Sequence, residues 1–172
     1  DSVKLANNAT IIKPVLTGLS PVSGYPNTNV KLIGENLSLS NNSNVYVYFG
    51  STSVSLNSVS PDSLKVKAPW VTPGSYSLSV NYGGFSVPCP DTFTVLEPKI
   101  TSISPASGVA GTSVIINGEG FGAGNSINVY FGNLYATVMS STDTKINVKV
   151  PSGITSGSWI VKVNISYHEL SS

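Results

Sequence analysis

Five glycines lie close together in residues 101–122, TSISPASGVAGTSVIINGEGFG, and glycines at such spacing can form a loop that binds phosphate. A dinucleotide-binding loop has the pattern G-x-G-x-x-G between a strand and a helix. Here Gly118, Gly120 and Gly122 form G-x-G-x-G, and Ala123 stands where the last glycine is required. The residues that follow, GNSINVYFG, have the pattern of a strand, and the Gly-Lys-Ser/Thr of a phosphate loop is absent. We therefore interpret these glycines as turn residues that adopt positive φ.

The residues that could act as nucleophile, base or metal ligand are scattered along the chain. Cys89 is the only cysteine, so a disulfide within the chain is excluded, and the only histidine is the distant His168. Because a catalytic cysteine requires a nearby base, we interpret Cys89 as a half-buried thiol or as one whose partner lies outside this chain. The acidic residues are isolated in sequence, and Glu35 and Glu119 each follow a glycine, which indicates turns. The sequence predicts no catalytic residue, no cofactor and no metal site, and therefore not an enzyme.

The composition excludes some classes of partner. The chain has 172 residues, enough for one large domain or two small ones, and 40% of them are hydrophobic, enough for a packed core. Only 10% are charged, against about 25% in an average soluble domain. The nine basic residues are all lysines and lie singly, which argues against nucleic acid. No apolar run approaches the roughly 18 residues of a membrane span, so membrane attachment is expected only through segments outside this chain.

The chain contains two copies of one unit. Residues 14–37 align with residues 98–121 at a constant shift of 84 positions, including a Ser-Pro pair and two glycines. Further blocks, VYVYFG at 45–50 and LKVKAP at 64–69, align with INVYFG at 127–132 and INVKVP at 146–151. We predict an N-terminal extension at 1–13, a first domain at 14–97 and a second at 98–172. The LEPK junction is too short for a flexible linker.

Each copy has the pattern of short strands separated by turns. Apolar or alternating segments of four to six residues are rich in Val, Ile, Tyr and Leu, and Gly, Pro, Asn, Asp and Ser separate them every 8 to 12 residues. No segment has a sustained helical period. The pattern predicts an all-β fold of two tandem antiparallel β-sandwiches, each with about seven strands and of the immunoglobulin-like form.

The matched blocks resemble the IPT/TIG family. The motifs that carry the resemblance are ITSISPASGVAGTSVIINGEGFG, followed by VYFG, VKVP and SGSWIVKV. The first copy departs from the family pattern at Asn36-Leu37, where Gly-Phe is usual, and at residues 25–27, where glycine is common. The resemblance covers about 14–164 and implies an early-set immunoglobulin-like fold, which plexins, Met-type receptors, social-amoeba adhesion proteins and some transcription factors contain. The DNA binding of the last group does not fit the charge of this chain, nor the Asn-x-Ser/Thr glycosylation motifs described next.

Four Asn-x-Ser/Thr motifs could accept N-linked glycans. They lie at Asn8, Asn36, Asn41 and Asn164. The chain starts at Asp1 without an apolar leader, so we expect a mature or excised fragment of an extracellular or cell-surface protein. A eukaryotic source is favoured, and a bacterial surface protein is the alternative.

Three aromatic residues are the candidates for contact with a partner. Trp70 follows Pro69 in a loop and has no counterpart in the second copy, so it is either an exposed contact residue or a residue folded over its own core. Tyr25, Trp70 and Tyr82 could also stack on sugar rings. The favoured function is cell–cell adhesion or recognition through another cell-surface protein, homophilic or heterophilic. The alternative is a structural spacer, or carbohydrate-binding accessory domains of a larger secreted or bacterial surface protein.

The two copies differ after their last shared block. The first continues to a strand, TFTVL, whereas the second has only ISYHELSS. We expect the second domain to lack all or part of its last strand, to present an open edge, and to be the less stable one.

Overall fold

The computed structural model describes residues 13–38, 45–122, 126–166 and 168–172, which form strands and turns and no helix. Within these ranges, the first repeat contains nine strands: β1 (Val15–Ser20), β2 (Ser23–Gly24), β3 (Asn29–Glu35), β4 (Val45–Phe49), β5 (Thr52–Val54), β6 (Ser58–Ser60), β7 (Ser63–Lys67), β8 (Gly74–Tyr82) and β9 (Phe85–Val95). The second contains seven: β10 (Lys99–Ser104), β11 (Ser113–Glu119), β12 (Ile127–Phe131), β13 (Leu134–Ser141), β14 (Lys145–Lys149), β15 (Val161–Ile165) and β16 (His168–Ser171). Among these residues, no helix has the length and apolarity that crossing a bilayer requires.

By their contacts, the described residues form two compact units. Unit 1 contains those within 1–22, 29–67 and 76–93, and unit 2 contains those within 23–28, 68–75 and 94–172. The units follow the two repeats except at two loops, 23–28 and 68–75, and at the end of β9, which group with unit 2.

The first repeat forms two sheets. Their strand orders are β1-β3-β7-β6 and β2-β9-β8-β4-β5. Strand β3 alternates, with Val30 and Leu32 buried between exposed residues, as the period of a half-buried strand requires. Phe49 of β4 and Phe93 of β9 are both fully buried and meet edge-on, with ring centroids 5.7 Å apart and ring planes at 86°. Both rings belong to the buried core of unit 1.

The second repeat forms one continuous sheet in which a single strand joins the two layers. Its order is β10-β11-β14-β13-β12-β15-β16. Residues 134–136 of β13 pair with β12, and residues 137–141 pair with β14. In the first repeat the equivalent stretch is divided into β5, which pairs with β4, and β6, which pairs with β7. The predicted all-β fold of two tandem sandwiches is confirmed.

The glycines of residues 101–122 serve the fold in two ways, only one of which was predicted. Gly111, Gly120 and Gly122 have φ of 83°, 75° and 69°, the left-handed turn conformation expected for them. Gly108 and Gly118 have ordinary φ, and a Cβ at Gly118 would lie 2.3 Å from the carbonyl oxygen of Lys99. The prediction of positive φ was therefore wrong for Gly108 and Gly118, where glycine permits close approach.

Asparagine replaces glycine at two of these turn positions in the first repeat. Asn27 has φ of 69° where the second repeat has Gly111, and Asn36 has φ of 57° where it has Gly120. Asparagine adopts the left-handed region more readily than most other residues. Leu37, like its counterpart Phe121, is fully buried. The departures from the family pattern therefore keep the same backbone conformation and the same buried position.

Candidate functional site

A cleft of about 410 Å³ opens into one side of unit 2. Residues 105–108, after β10, form one side of its rim, and residues 157–159, before β15, form the other. These rim residues are exposed, whereas Val114, Phe131 and Val161 are buried at its base. We refer to this feature as the cleft. The residues that line it are Ile103, Pro105, Ala106, Ser107, Gly108, Val114, Phe131, Val150, Ile154, Gly157, Ser158, Trp159 and Val161.

Trp159 forms the aromatic part of the rim. Its side chain is 41% exposed, and its Nε1–H donates a hydrogen bond to the carbonyl oxygen of Thr155 at 3.1 Å. The ring lies against Gly132, where a Cβ would come within 2.7 Å of Cε3. In the first repeat, Tyr76 lies against Gly50 in the same way. The indole is thus held in one orientation with part of its surface open to the cleft.

The cleft has no side chain that could act as an acid or a base. None of the residues that line it has an ionisable side chain. Its polar groups are the hydroxyls of Ser107 and Ser158 and the backbone, and the remaining surface is aliphatic or aromatic. Such a surface binds apolar and aromatic groups through burial of area, and extended peptide through backbone hydrogen bonds.

Cys89, the single cysteine of the chain, lies on β9 and is not among the residues that line the cleft. It is half-buried and free. Burial, and then the nearby Asp91 carboxylate, raise the pKa of the Cys89 thiol, while a hydrogen bond from the Asp91 backbone opposes them. A nucleophilic cysteine needs the opposite shift, toward the thiolate. Within the described residues, no cluster of His, Cys, Asp and Glu could hold a metal ion.

Tyr25 belongs to unit 2 and hydrogen-bonds to Glu119. Its hydroxyl donates to Oε2 of Glu119, which also lies 3.5 Å from Nζ of Lys99. The Tyr25 hydrogen bond, and then the charge of Lys99, lower the pKa of the Glu119 carboxyl. The same hydrogen bond, with burial, raises the pKa of Tyr25. Glu119 therefore orients Tyr25, and the Tyr25 ring lies against Gly120.

Trp70 also belongs to unit 2. Its ring packs beside the core of that unit and lies 5.3 Å from the His168 ring, at 31° between the planes. Its Nε1 is buried and no hydrogen-bond acceptor lies within reach among the described residues. The side chain is half-buried. A role for Trp70 in binding a partner stays a prediction.

Tyr82 is a buried residue of β8 in unit 1. Its hydroxyl donates to the carbonyl oxygen of Leu37 at 3.2 Å, and burial raises its pKa to about 12. The ring stacks on Phe85, at 5.6 Å between centroids and 21° between planes, and Phe85 is exposed. Phe85, which the sequence analysis did not select, is thus the aromatic that this pair presents at the surface.

The comparisons with known proteins identify the family. The sequence profile of the IPT/TIG domain matches twice, over residues 14–95 and 98–171. The chain belongs to the IPT/TIG domain family. The resemblance drawn from the motifs of the second repeat is confirmed, and with it the immunoglobulin-like form of the two sandwiches.

The similar proteins are larger than this chain. Human fibrocystin-L is 27% identical over 146 residues, which are 84% of this chain and 3% of that protein. The cyclomaltodextrin glucanotransferase of Thermoanaerobacterium thermosulfurigenes is 38% identical over 70 residues, which are 41% of this chain and 10% of that enzyme. The extracellular region of plexin A4 superimposes with a TM-score of 0.53 at 18% identity, covering 97% of this chain and 18% of the plexin chain. At that identity the plexin similarity shows the fold alone.

The glycosylation motifs of this IPT/TIG chain differ in their surroundings. Asn36 and Ser38 are exposed on either side of buried Leu37. Asn164 lies on β15, which pairs with β12 on one side and β16 on the other, and its Oδ1 is buried. Asn8 and Asn41 lie outside the described residues. Of the two described motifs, Asn36 has the more accessible side chain.

The cleft could not be located from the sequence. Trp159, which lies in the SGSWIVKV motif, was not among the aromatic residues selected there, and the structure places it at the rim of the cleft. The sequence feature that could have indicated the cleft is the SGSW segment, residues 156–159, in which an aromatic residue follows small residues. Tyr25, Trp70 and Tyr82 are not among the lining residues of the cleft.

Proposed function

We propose that this tandem IPT/TIG chain is a non-catalytic extracellular binding module that acts in cell–cell adhesion or recognition through contact with another cell-surface protein. The observation that carries the proposal is the cleft. It is open, apolar and aromatic, and the residues that line it have no ionisable side chain. Protein contact surfaces are enriched in aromatic residues at their centre and depleted of charge, and Trp159 is of the type that often dominates binding energy.

Three features support an extracellular location. The plexin A4 structure of the same fold is an extracellular region. An exposed glycosylation motif lies at Asn36. Only 10% of the residues are charged, so hydroxyl and amide groups form most of the polar surface. Membrane attachment would come only through segments outside this chain. We propose domain bounds of 14–97 and 98–172, with Tyr25, Trp70 and Tyr82 as further contact candidates.

The test uses the chain displayed in many copies. Beads coated with the chain are mixed with each other and, separately, with cells that do not display this chain. Bead–bead clustering indicates homophilic binding, and bead–cell attachment indicates a heterophilic partner. Attachment that protease treatment of the cells abolishes supports a protein partner. Beads that neither cluster nor attach would contradict the proposal and favour a structural spacer.

A carbohydrate-binding accessory role is the second candidate. The observation that favours it is the similarity of 70 residues to a cyclomaltodextrin glucanotransferase, together with the exposed Trp159 ring, since aromatic faces stack on sugars. The same beads applied to a glycan array separate the two functions. Two results would favour the accessory role over a protein partner. The beads would bind α-glucans on the array, and their attachment to cells would survive protease treatment of those cells.

A further inference from the structure

Three of the lysines, which lie singly in the sequence, meet on one face of unit 1. Lys31 of β3 lies directly opposite Lys65 of β7, and Lys67 of β7 lies opposite Asn29. All three lysines are exposed, and the residues on either side of each are buried. Side chains directly opposite on antiparallel strands have Cβ atoms about 5 Å apart, and diagonal neighbours lie about 7–8 Å apart. We refer to Lys31, Lys65 and Lys67 as the lysine face.

The lysine face is not neutralised by acidic side chains among the described residues. The ion pairs that these residues form lie in unit 2. Hydrogen bonds from the hydroxyls of Ser60 and Ser63 to Oδ1 of Asp62, at 2.7 and 3.0 Å, lower the pKa of the Asp62 carboxyl, and the charge of Lys31 is a smaller cause. Asp62 is therefore held by serine hydroxyls, and the lysine charges are available to a ligand.

The arrangement works against the stability of unit 1. Like charges directly opposite each other on paired strands destabilise a sheet. The second repeat avoids this pair, because Ile115 and Asn147 occupy the positions of Lys31 and Lys65 and face each other in the same register. The fold therefore does not require the two lysines. Residues that break a local rule of stability are expected at functional sites.

The neighbours of the lysine face indicate the kind of partner. Ser20 of β1 lies opposite Lys31, and Ser58 of β6 lies opposite Lys65, so a row of four exposed polar side chains crosses the sheet. Ammonium groups attract anions, and the hydroxyls beside them can donate to and accept from the hydroxyls of a sugar. The row has no aromatic side chain on which a nucleic-acid base would stack.

We infer that the lysine face binds an anionic polysaccharide, one that carries sulfate or carboxylate groups along its length. The face is an open sheet surface, which suits an extended chain with repeated charges, whereas a small ligand is usually bound in a concave site. The preference for a polysaccharide over a membrane rests on the proposed extracellular location, because anionic lipids are concentrated in the cytoplasmic leaflet. The lysine face belongs to unit 1, and the residues that line the cleft belong to unit 2.

The test titrates heparin, a sulfated polysaccharide, into the full chain, with uncharged dextran as the control ligand. We expect heparin to bind at about 50 mM salt and more weakly at about 200 mM, because counterions released from the polymer oppose binding as salt rises. Dextran should not bind. In the isotope-labelled chain, NMR should show heparin-dependent shifts of the β3 and β7 amides. Absence of heparin binding, or shifts confined to other strands, would overturn the inference.

Two double variants separate the lysine face from net charge. Lys31→Gln with Lys65→Gln removes two charges of the face, and Lys145→Gln with Lys149→Gln removes two exposed charges that lie four residues apart on β14. The first variant should bind heparin at least about tenfold more weakly, with the slope of log K against log salt reduced by about two, and the second should change affinity by less than about twofold. Equal weakening in both would overturn the lysine face.

The first variant should be at least as stable as the unaltered chain, because it removes a pair of like charges. If it does not fold, the NMR shifts of the unaltered chain decide. Polyglutamate and phosphatidylserine vesicles are titrated under the same conditions. If either binds through the lysine face as tightly as heparin, the polysaccharide is overturned and the face is assigned to an acidic peptide or a membrane.

The heparin and bead assays distinguish this inference from the proposed function. Trp159→Ala should leave heparin binding unchanged, because Trp159 belongs to unit 2. Heparin binding by a chain whose beads do not attach to cells would leave the lysine face and refute adhesion. Beads that attach to cells through a protease-sensitive partner, with no heparin binding by the chain, would refute the lysine face and leave adhesion.

Discussion

Asn36 and Gly120 occupy the same left-handed turn in the two IPT/TIG repeats, with φ of 57° and 75°. Each precedes a fully buried side chain, Leu37 in the first repeat and Phe121 in the second. The turn aims that side chain into the core, so its backbone conformation is maintained while its residue type changes.

The first prediction concerns the turn at Asn36. Asn36→Gly should leave the stability of unit 1 nearly unchanged, because glycine adopts this φ without strain. Asn36→Ala should destabilise unit 1 by about 1 kcal/mol, because a Cβ is disfavoured in the left-handed region and asparagine tolerates it better than alanine. Hydrogen exchange of the β3 and β4 amides measures the difference. Equal protection from exchange in the two variants would show that the positive φ at this turn does not restrict which residue type it accepts.

The second prediction exchanges asparagine into the other repeat. Gly111→Asn should be tolerated, because no atom lies within 4 Å of the added Cβ and Asn27 already occupies the equivalent turn. Gly120→Asn should destabilise unit 2, because its Cβ would lie 2.4 Å from the Tyr25 ring. Thermal unfolding followed by tryptophan fluorescence reports on unit 2, which contains both tryptophans. A Gly120→Asn variant as stable as Gly111→Asn would mean that Tyr25 does not pack there.

The third prediction concerns glycosylation. In a eukaryotic secretory host, Asn36 should carry a glycan and Asn164 should not, because Asn164 lies between two paired strands with its Oδ1 buried. Ser38→Ala should remove the glycan at Asn36 while keeping the turn residue itself. Mass spectrometry of tryptic peptides gives the occupancy of each site. A glycan at Asn164 in folded protein would contradict the burial of that side chain.

The fourth prediction is a dependence of unit 1 on alkaline pH. The pKa of Tyr82 is raised from 10.0 to about 12, so the folded state holds its phenol proton more tightly than the unfolded state. The resulting stabilisation is complete below pH 10 and is lost as the pH rises from 10 to 12. Tyr82→Phe should lower the free energy of unfolding by about 1 kcal/mol near neutral pH, because the hydrogen bond to Leu37 is lost. The variant should also lose less stability than the unaltered chain between pH 10 and 12.

The control for this prediction is Tyr46→Phe, at a side chain that is 44% exposed. It removes an exposed phenol from the same unit, so a change of slope that appears only in Tyr82→Phe is specific to the buried phenol. Urea unfolding between pH 8 and 12, monitored by far-ultraviolet circular dichroism, measures both variants. A Tyr82→Phe protein with the same slope as the unaltered chain would show that this phenol does not titrate differently on folding.

The repeat pattern predicted the strands well because alternation is a local property. Val30 and Val114 are buried at alternating positions of their strands, and Phe49 and Phe131 lie in their cores, each followed by a glycine at positive φ, Gly50 or Gly132. The need for glycine at position 118 could not be predicted, because the carbonyl oxygen that excludes a Cβ there belongs to Lys99, on the neighbouring strand.

The cleft could not be predicted for a similar reason. Its existence depends on what covers Phe131, and the residue that covers Phe49 lies 44 positions along the chain. The surroundings of Trp70 likewise depend on His168 and on the core of unit 2, which no local pattern indicates. Sequence reasoning therefore located the aromatic residues but did not establish which of them line an opening.

The most direct test of the account compares two variants in the bead assay. Trp159→Ala removes an aromatic side chain from the rim of the cleft, and Met139→Ala removes a similarly exposed side chain from β13, away from the cleft. With folding verified for both, Trp159→Ala should weaken attachment by about 30-fold, as for a central tryptophan of a binding surface, and Met139→Ala should have no effect. Attachment that Trp159→Ala leaves unchanged would contradict the assignment of binding to the cleft.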